Sequence, residues 1–143
     1  MTTTYSLQNL PAVAQQLQAT YPDAQVWALM GELGAGKTTL IRELCKAWGV
    51  SAQVNSPTFT LVQTYETKNG PIHHFDLYRL NNPEELLALD FEHYLDTGYR
   101  CLIEWPEIAA DYLPNDTVFV KLYHSGADSR RLESRLLSDD ASS

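Results

Sequence analysis

The run Gly31-Glu32-Leu33-Gly34-Ala35-Gly36-Lys37-Thr38-Thr39 sets glycines, one lysine and two threonines at spacings suited to holding a polyphosphate. Glycines carry no Cβ, so consecutive backbone N–H groups can converge on phosphate oxygens. Lys37 supplies a charge for the outer phosphates. Thr38 opens the following helix, where its hydroxyl can ligate Mg²⁺ while the positive end of the helix dipole faces the same anion. This is the P-loop pattern, and it predicts a nucleoside triphosphate with Mg²⁺, held by Gly34, Ala35, Gly36, Lys37, Thr38 and Thr39. Lys37 itself reads as an exposed loop lysine that contributes little to the core.

A phosphate cradle alone hydrolyses nothing, because the metal also needs a carboxylate and the attacking water must be oriented. Two acids are candidates. Glu104 closes the apolar run Cys101-Leu102-Ile103, as a Walker B carboxylate closes a strand beside a P-loop, which makes Thr38 and Glu104 the candidate metal ligands. Asp76, in His73-His74-Phe75-Asp76-Leu77-Tyr78-Arg79, also ends a β-type run and completes a candidate catalytic set of Lys37, Asp76 and Glu104. Thr58, in Ser56-Pro57-Thr58, is a candidate switch residue that could sense the terminal phosphate or meet Mg²⁺. The adjacent His73 and His74 would point to opposite faces of a strand, so they read as packing or surface residues rather than a chelating pair. Tyr78 reads as packing, Arg79 as a partner for phosphate or an acid, and Trp27 and Trp48 as core.

These residues need a strand, a loop and a helix in that order. Val26 to Met30 is the apolar strand, and Leu40, Ile41, Leu44 and Trp48 recur at helical spacing before the stop at Gly49. Upstream, Leu10, Val13, Ala14 and Leu17 form one helical face, with Pro11 in its first turn and Tyr21-Pro22-Asp23 ending it. Residues 51–56 read as a loop. Phe59 to Glu66 and Pro71 to Leu77 are β-rich runs about Asn69-Gly70, a hairpin signal. Asn82-Pro83-Glu84-Glu85 starts a helix through Leu86, Leu87 and Leu89, and a second helical piece covers Phe91 to Leu95. Arg100 to Glu104 is a central strand, Leu113 to Asp116 a turn, Thr117 to Tyr123 an alternating strand, and Arg130 to Leu137 a final run.

With 143 residues and 44% hydrophobic composition the chain has material for one core, so residues 1–137 read as a single P-loop ATPase domain and 138–143 as a disordered tail. The net charge of −8 sets the whole molecule against nucleic-acid backbones, so any nucleic-acid role would need a partner. Cys45 and Cys101 fit neither a redox motif nor a zinc spacing and read as core thiols. No basic leader precedes an apolar run and none approaches membrane-spanning length, which predicts a cytoplasmic protein without membrane contact.

The blocks Gly31 to Thr39, Ser56-Pro57-Thr58-Phe59-Thr60-Leu61, His74-Phe75-Asp76-Leu77-Tyr78-Arg79-Leu80 and Ile103-Glu104-Trp105-Pro106-Glu107 stand in the order of one family. Across residues 4 to 124 the chain resembles TsaE, the small ATPase of bacterial tRNA threonylcarbamoyladenosine synthesis. The resemblance implies an α/β P-loop NTPase with a central, mostly parallel sheet flanked by helices and some antiparallel strands. It also implies that ATP and Mg²⁺ are the cofactors, with phosphate and metal on Lys37 and Thr38. Asp76 and Glu104 then form the acidic side of the metal and water site, which of the two serves which staying open. Thr58 is placed in a switch-like loop and Trp105 near the nucleotide. The implied function is a Mg²⁺-dependent ATPase, slow alone and stimulated by partners. It is required for N6-threonylcarbamoyladenosine at position 37 of tRNAs reading codons that begin with adenine, and it acts on a TsaB–TsaD type of complex. Two positions depart from the family pattern: Glu32 replaces the more usual Asp at an outward loop position, and Asp90 stands where glycine is frequent.

Two other uses of the same loop are a small-molecule kinase and a GTP-dependent switch. Kinases clamp phosphates with several arginines, whereas Arg42, Arg79, Arg100, Arg130, Arg131 and Arg135 are scattered here. The guanine-reading Asn-Lys-x-Asp element is absent from the sequence, which favours adenine.

Overall fold

The computed structural model describes residues 1–32, 34–51, 53–55 and 61–138. Thr58 and its neighbours, Leu33 of the glycine loop and residues 139–143 of the expected tail therefore lie outside the described residues. Ser138, the first residue of that tail, donates its N–H to the Asn115 carbonyl at 2.9 Å.

Strand β2 (Val26–Met30) is the axis of the sheet, with Val26, Trp27, Ala28 and Leu29 all buried. A strand covered on both faces needs no polar alternation, which is why its residues are uniformly apolar. The other strands are β1 (Thr2–Ser6), β3 (Val62–Thr67), β4 (Gly70–Asp76), β5 (Arg100–Glu104), β6 (Val118–His124) and β7 (Ser129–Leu136). Among the described residues they form one seven-stranded sheet in the order β1-β7-β6-β2-β5-β4-β3. Its centre, β6-β2-β5-β4, is parallel, and β7, β1 and β3 are added antiparallel at the two sides. The expected architecture of a parallel centre with antiparallel additions is thus present.

Helices cover both faces. Helix α1 (Leu10–Thr20) and α2 (Lys37–Ala47) lie over one, where Leu17, Leu40, Ile41 and Leu44 meet Trp27, Leu29, Val120 and Leu132. On the other, α3 (Glu84–Leu89), α4 (Phe91–Asp96) and a 3-10 segment over Pro106–Tyr112 supply Leu86, Phe91 and Ala109 against Val26, Ala28, Phe75 and Ile103. The end of α2 follows from Gly49, whose φ of 99° lets its N–H reach Lys46 O at 3.1 Å while the Val50 N–H reaches Cys45 O at 2.9 Å. The start of α3 is held reciprocally: Asn82 Oδ1 accepts the Glu85 N–H at 3.3 Å, and Glu85 Oε2 accepts the Asn81 N–H at 2.8 Å. Asp90 takes the left-handed conformation between α3 and α4, at φ 60° and ψ 41°, so the glycine departure is accommodated there.

Several sequence readings shift. Strand β1 has no counterpart among the expected elements, because only Tyr5 of its five residues is buried and a polar edge strand shows no apolar alternation. The hairpin strand begins at Val62, and its earlier residues Phe59 and Thr60 lie outside the described residues. Trp48 is half-buried, edge-on to the fully buried Trp27 at 5.5 Å between ring centroids. Cys45 and Cys101 are free and buried as expected, and burial pushes both thiols up to about 12.

Register positions the chemistry. Leu29 pairs with Glu104, and Asp76 pairs with the same Glu104, so the carboxyl ends of β2, β5 and β4 are level at one edge of the sheet. The glycine loop leaves β2 at that edge, where open parallel sheets place their ligands.

Candidate functional site

The loop between β2 and α2 is shaped by close approach. A Cβ on Gly31 would sit 2.8 Å from the Leu122 carbonyl oxygen, so only glycine lets the chain leave β2 against β6. At the other end Gly36 has a φ of 102° and delivers the chain into α2. A Cβ on Gly34 or Gly36 would meet no atom of the described residues within 4 Å.

Lys37 is not the exposed loop lysine expected from sequence. It is 5% exposed, its ammonium donates to the Gly31 carbonyl and, at 3.4 Å, to the Glu32 carbonyl, and Nζ lies 3.7 Å from the centroid of the Trp105 ring. The reason is its place in the first turn of α2, from which the long stem folds back under the loop it follows. Burial lowers its pKa, and Glu104, Asp76 and Glu107, in that order, oppose the shift by favouring the charged form.

Glu104 ends β5 and is buried, at 3% exposure. Its Oε1 accepts the Thr38 hydroxyl at 3.0 Å, so the first threonine of α2 and the acid of the neighbouring strand are brought together as expected. Its Oε2 meets His74 Nε2 at 2.8 Å. Asp76 reaches the same sheet edge, half-buried, where its Oδ1 accepts the Tyr78 N–H at 3.1 Å and its own N–H bonds the Leu61 carbonyl at 2.9 Å.

Trp105 follows Glu104 in the left-handed region, at φ 57° and ψ 60°, a conformation that costs a bulky residue energy. The turn swings its indole over Lys37 and against Tyr78, whose ring centroid is 4.8 Å away. Tyr78 is 55% exposed, so its expected packing role holds only on the side facing Trp105. Arg79 is exposed and Glu32 points outward.

A divalent cation fits this donor set. Mg²⁺ is bound by few protein oxygens together with phosphates and water, and the Thr38 hydroxyl and Glu104 carboxylate supply such a pair, while no cluster of three or more His, Cys, Asp or Glu suited to a metal occurs among the described residues. Beside the loop a cleft of about 540 Å³ is lined by Met30, Gly31, Glu32, Trp105, Lys121 and Tyr123.

Sequence reasoning missed His74. It is completely buried and joins Glu104 to Tyr65, whose hydroxyl lies 3.1 Å from His74 Nδ1. Its neighbour His73 packs at the opposite side, 2.9 Å from the Thr64 hydroxyl and edge-on to Tyr94, and burial lowers its pKa. The expectation that the two histidines diverge is met, but a packing role undersells His74. The signal available was the pairing of β4 with β5 as parallel neighbours, which puts residues 74 and 104 on one face.

An open α/β sheet with a glycine loop and an acidic residue level at adjacent strand ends defines the class of this protein. A family profile, Threonylcarbamoyl adenosine biosynthesis protein TsaE, matches residues 4–132, and the chain belongs to that family. Relatives described as tRNA threonylcarbamoyladenosine biosynthesis protein TsaE include one from Haemophilus influenzae, 44% identical over 73% of this chain and 66% of its own length. One from Rickettsia felis is 43% identical over 77% and 64%, and one from Bacillus subtilis 33% identical over 90% and 80%. The chain thus spans just under two thirds of the first two. The crystal structure of Bacillus subtilis YdiB shares the fold, with a TM-score of 0.71 at 24% identity, covering 98% of this chain and 88% of that one.

Proposed function

We propose that this chain is a Mg²⁺-dependent ATPase required for N6-threonylcarbamoyladenosine at position 37 of tRNAs that read codons beginning with adenine. It acts on a TsaB–TsaD type of complex, which performs the transfer. The observation that carries this reading is the assembly at one sheet edge of the Lys37 ammonium under the glycine loop and the Thr38 hydroxyl bonded to the Glu104 carboxylate. Family membership supports the pathway.

In this reading the N–H groups from Gly34 to Thr39 would bind the phosphates, and Lys37, which donates to the Gly31 carbonyl, would supply its charge to them. Thr38 and Glu104 would hold Mg²⁺, which would supply charge neutralisation at the phosphates, and Asp76 would orient the attacking water. The cleft beside Gly31 gives the nucleoside room. The arginines do not gather into a phosphate clamp: Arg42 bonds the Val54 carbonyl at 2.8 Å, Arg100 lies over Trp48 and Arg131 pairs with Glu133. That supports an ATPase over a kinase. Residues 1–137 act as one domain in the cytoplasm.

Asp76→Ala is expected to reduce turnover at least tenfold, about 1.4 kcal/mol of transition-state stabilisation, while nucleotide affinity stays within about threefold of wild type. Asp76 has no place in the loop that binds phosphate. Paired measurements of kcat and of ATP binding check this, and normal turnover removes Asp76 from the site.

A docked partner completes the enclosure of the γ phosphate in this reading, since water exclusion strengthens the electrostatics there. Steady-state ATPase assays with the TsaB–TsaD complex and with tRNA added separately test the function. We expect a low basal rate, stimulation by the complex and little change with tRNA alone, because the net charge of −8 opposes tRNA. Strong stimulation by naked tRNA, or none by the complex, contradicts the reading.

A further inference from the structure

Glu104 has two carboxylate oxygens and they face different groups: Oε1 the Thr38 hydroxyl at 3.0 Å, Oε2 the imidazole of His74 at 2.8 Å. A carboxylate that ends a strand turns about its χ angles unless something fixes it, and each freely rotating bond adds orientations in which the metal-facing oxygen points elsewhere. His74 is placed to remove that freedom. It lies on β4 opposite Leu102, two residues before Glu104 on the same face of β5, and its side chain is completely buried. An Nε2 to Oε2 separation of 2.8 Å is a hydrogen bond whichever of the pair carries the proton.

The imidazole is itself held. The Tyr65 hydroxyl is 2.9 Å from the Asn55 carbonyl and 3.1 Å from His74 Nδ1. A carbonyl only accepts, so the hydroxyl proton points to Asn55, and the Tyr65 oxygen is left to accept from Nδ1–H. This fixes which way the ring faces and aims Nε2 at Glu104. Tyr65 is buried, at 3% exposure, and burial pushes its hydroxyl up to about 12, so it stays protonated and able to donate to Asn55.

We propose that His74 is a positioning residue that fixes the Glu104 carboxylate so that its other oxygen faces Thr38 and the Mg²⁺ position, and that Tyr65 fixes His74 in turn. The inference rests on the reading of Thr38 and Glu104 as metal ligands. It assigns His74 no contact with nucleotide or metal. Its consequence is expected at the metal, because among the described residues the side-chain partners of His74 are Glu104 and Tyr65.

The two ends of the imidazole can be replaced one at a time. In His74→Gln the longer side chain brings an amide to the place of Nε2 and keeps a partner for Glu104. In His74→Asn the shorter one reaches only the place of Nδ1 and keeps a partner for Tyr65. Tyr65→Phe keeps the ring and deletes the hydroxyl. The experiment is equilibrium binding of a fluorescent ATP analogue to wild type and the three variants, in EDTA and across a Mg²⁺ titration, with thermal unfolding recorded for each.

In EDTA all four proteins are expected to bind alike. Half-saturating Mg²⁺ should rise at least tenfold in His74→Asn, about threefold in Tyr65→Phe, and less than threefold in His74→Gln. Equal Mg²⁺ dependence in His74→Asn and wild type overturns the proposal, as does equal loss in His74→Asn and His74→Gln, which would mark general damage. If both His74 variants fail to fold, Tyr65→Phe decides, and an unchanged Mg²⁺ dependence there overturns it. A wild type that binds nucleotide without any Mg²⁺ effect refutes the metal reading of Thr38 and Glu104 instead, and the proposal with it.

Discussion

Lys37→Ala is expected to abolish tight ATP binding and to cut turnover at least a hundredfold, about 2.7 kcal/mol of lost transition-state stabilisation. Its ammonium lies under the loop proposed to hold phosphate, with Glu104, Asp76 and Glu107 all favouring its charged form against the cost of burial. A cation preorganised in a partly dehydrated site is worth more to a developing negative charge than one in water. The substitution also has a structural cost that the sequence does not suggest. Lys37 is 5% exposed and donates to the carbonyls of Gly31 and Glu32, so its loss removes two hydrogen bonds that hold the loop. A stability decrease of about 1–3 kcal/mol follows from removing a buried charged donor. Denaturant unfolding separates this from the site effect, because such a loss leaves a folded protein at 25 °C. Wild-type hydrolysis by a folded Lys37→Ala protein sinks the phosphate assignment.

Glu104 is expected to separate structure from chemistry when two substitutions are compared. Glu104→Ala removes the carboxylate that meets the completely buried His74 Nε2 and accepts the Thr38 hydroxyl, which leaves Nε2 without that partner in the core. Leaving a buried polar group unpaired in this way costs about 1–3 kcal/mol, so this variant should be destabilised as well as inactive. Glu104→Gln keeps the volume and two polar atoms within reach of the same partners, but it loses the charge that Mg²⁺ requires. Its unfolding midpoint should stay near wild type while turnover falls at least tenfold. Turnover at the wild-type level in Glu104→Gln would remove Glu104 from the metal site.

What the sequence made legible was contiguous. Gly31 to Thr39 announces the loop between β2 and α2 within nine residues, and Glu104 is marked as a strand end by the apolar run it closes. The parallel centre follows from strands separated by helical segments, and Asn82 and Gly49 declare helix ends through local hydrogen bonding. Contacts made across the sheet stayed hidden. His74 is linked to Glu104 only through the β4–β5 register, and to Tyr65 only through the β3–β4 hairpin. The burial of Lys37 depends on Trp105, placed by a left-handed turn that no local signal in Glu104-Trp105-Pro106 announces. Strand β1 escaped because a polar edge strand takes its place from pairing with β7 rather than from its own apolar pattern.

In the proposed function, ATP held at the Lys37 loop is hydrolysed to sustain the modification of tRNA by partner proteins. Multiple-turnover formation of threonylcarbamoyladenosine on tRNA tests it most directly, with the TsaB–TsaD complex and the enzyme that supplies the activated carbamoyl donor held constant. This chain is then omitted, added as wild type, or added as Lys37→Ala. Sustained turnover with wild type, and at most a single round without it or with Lys37→Ala, is the result expected. Equal yields in all three reactions would contradict the account.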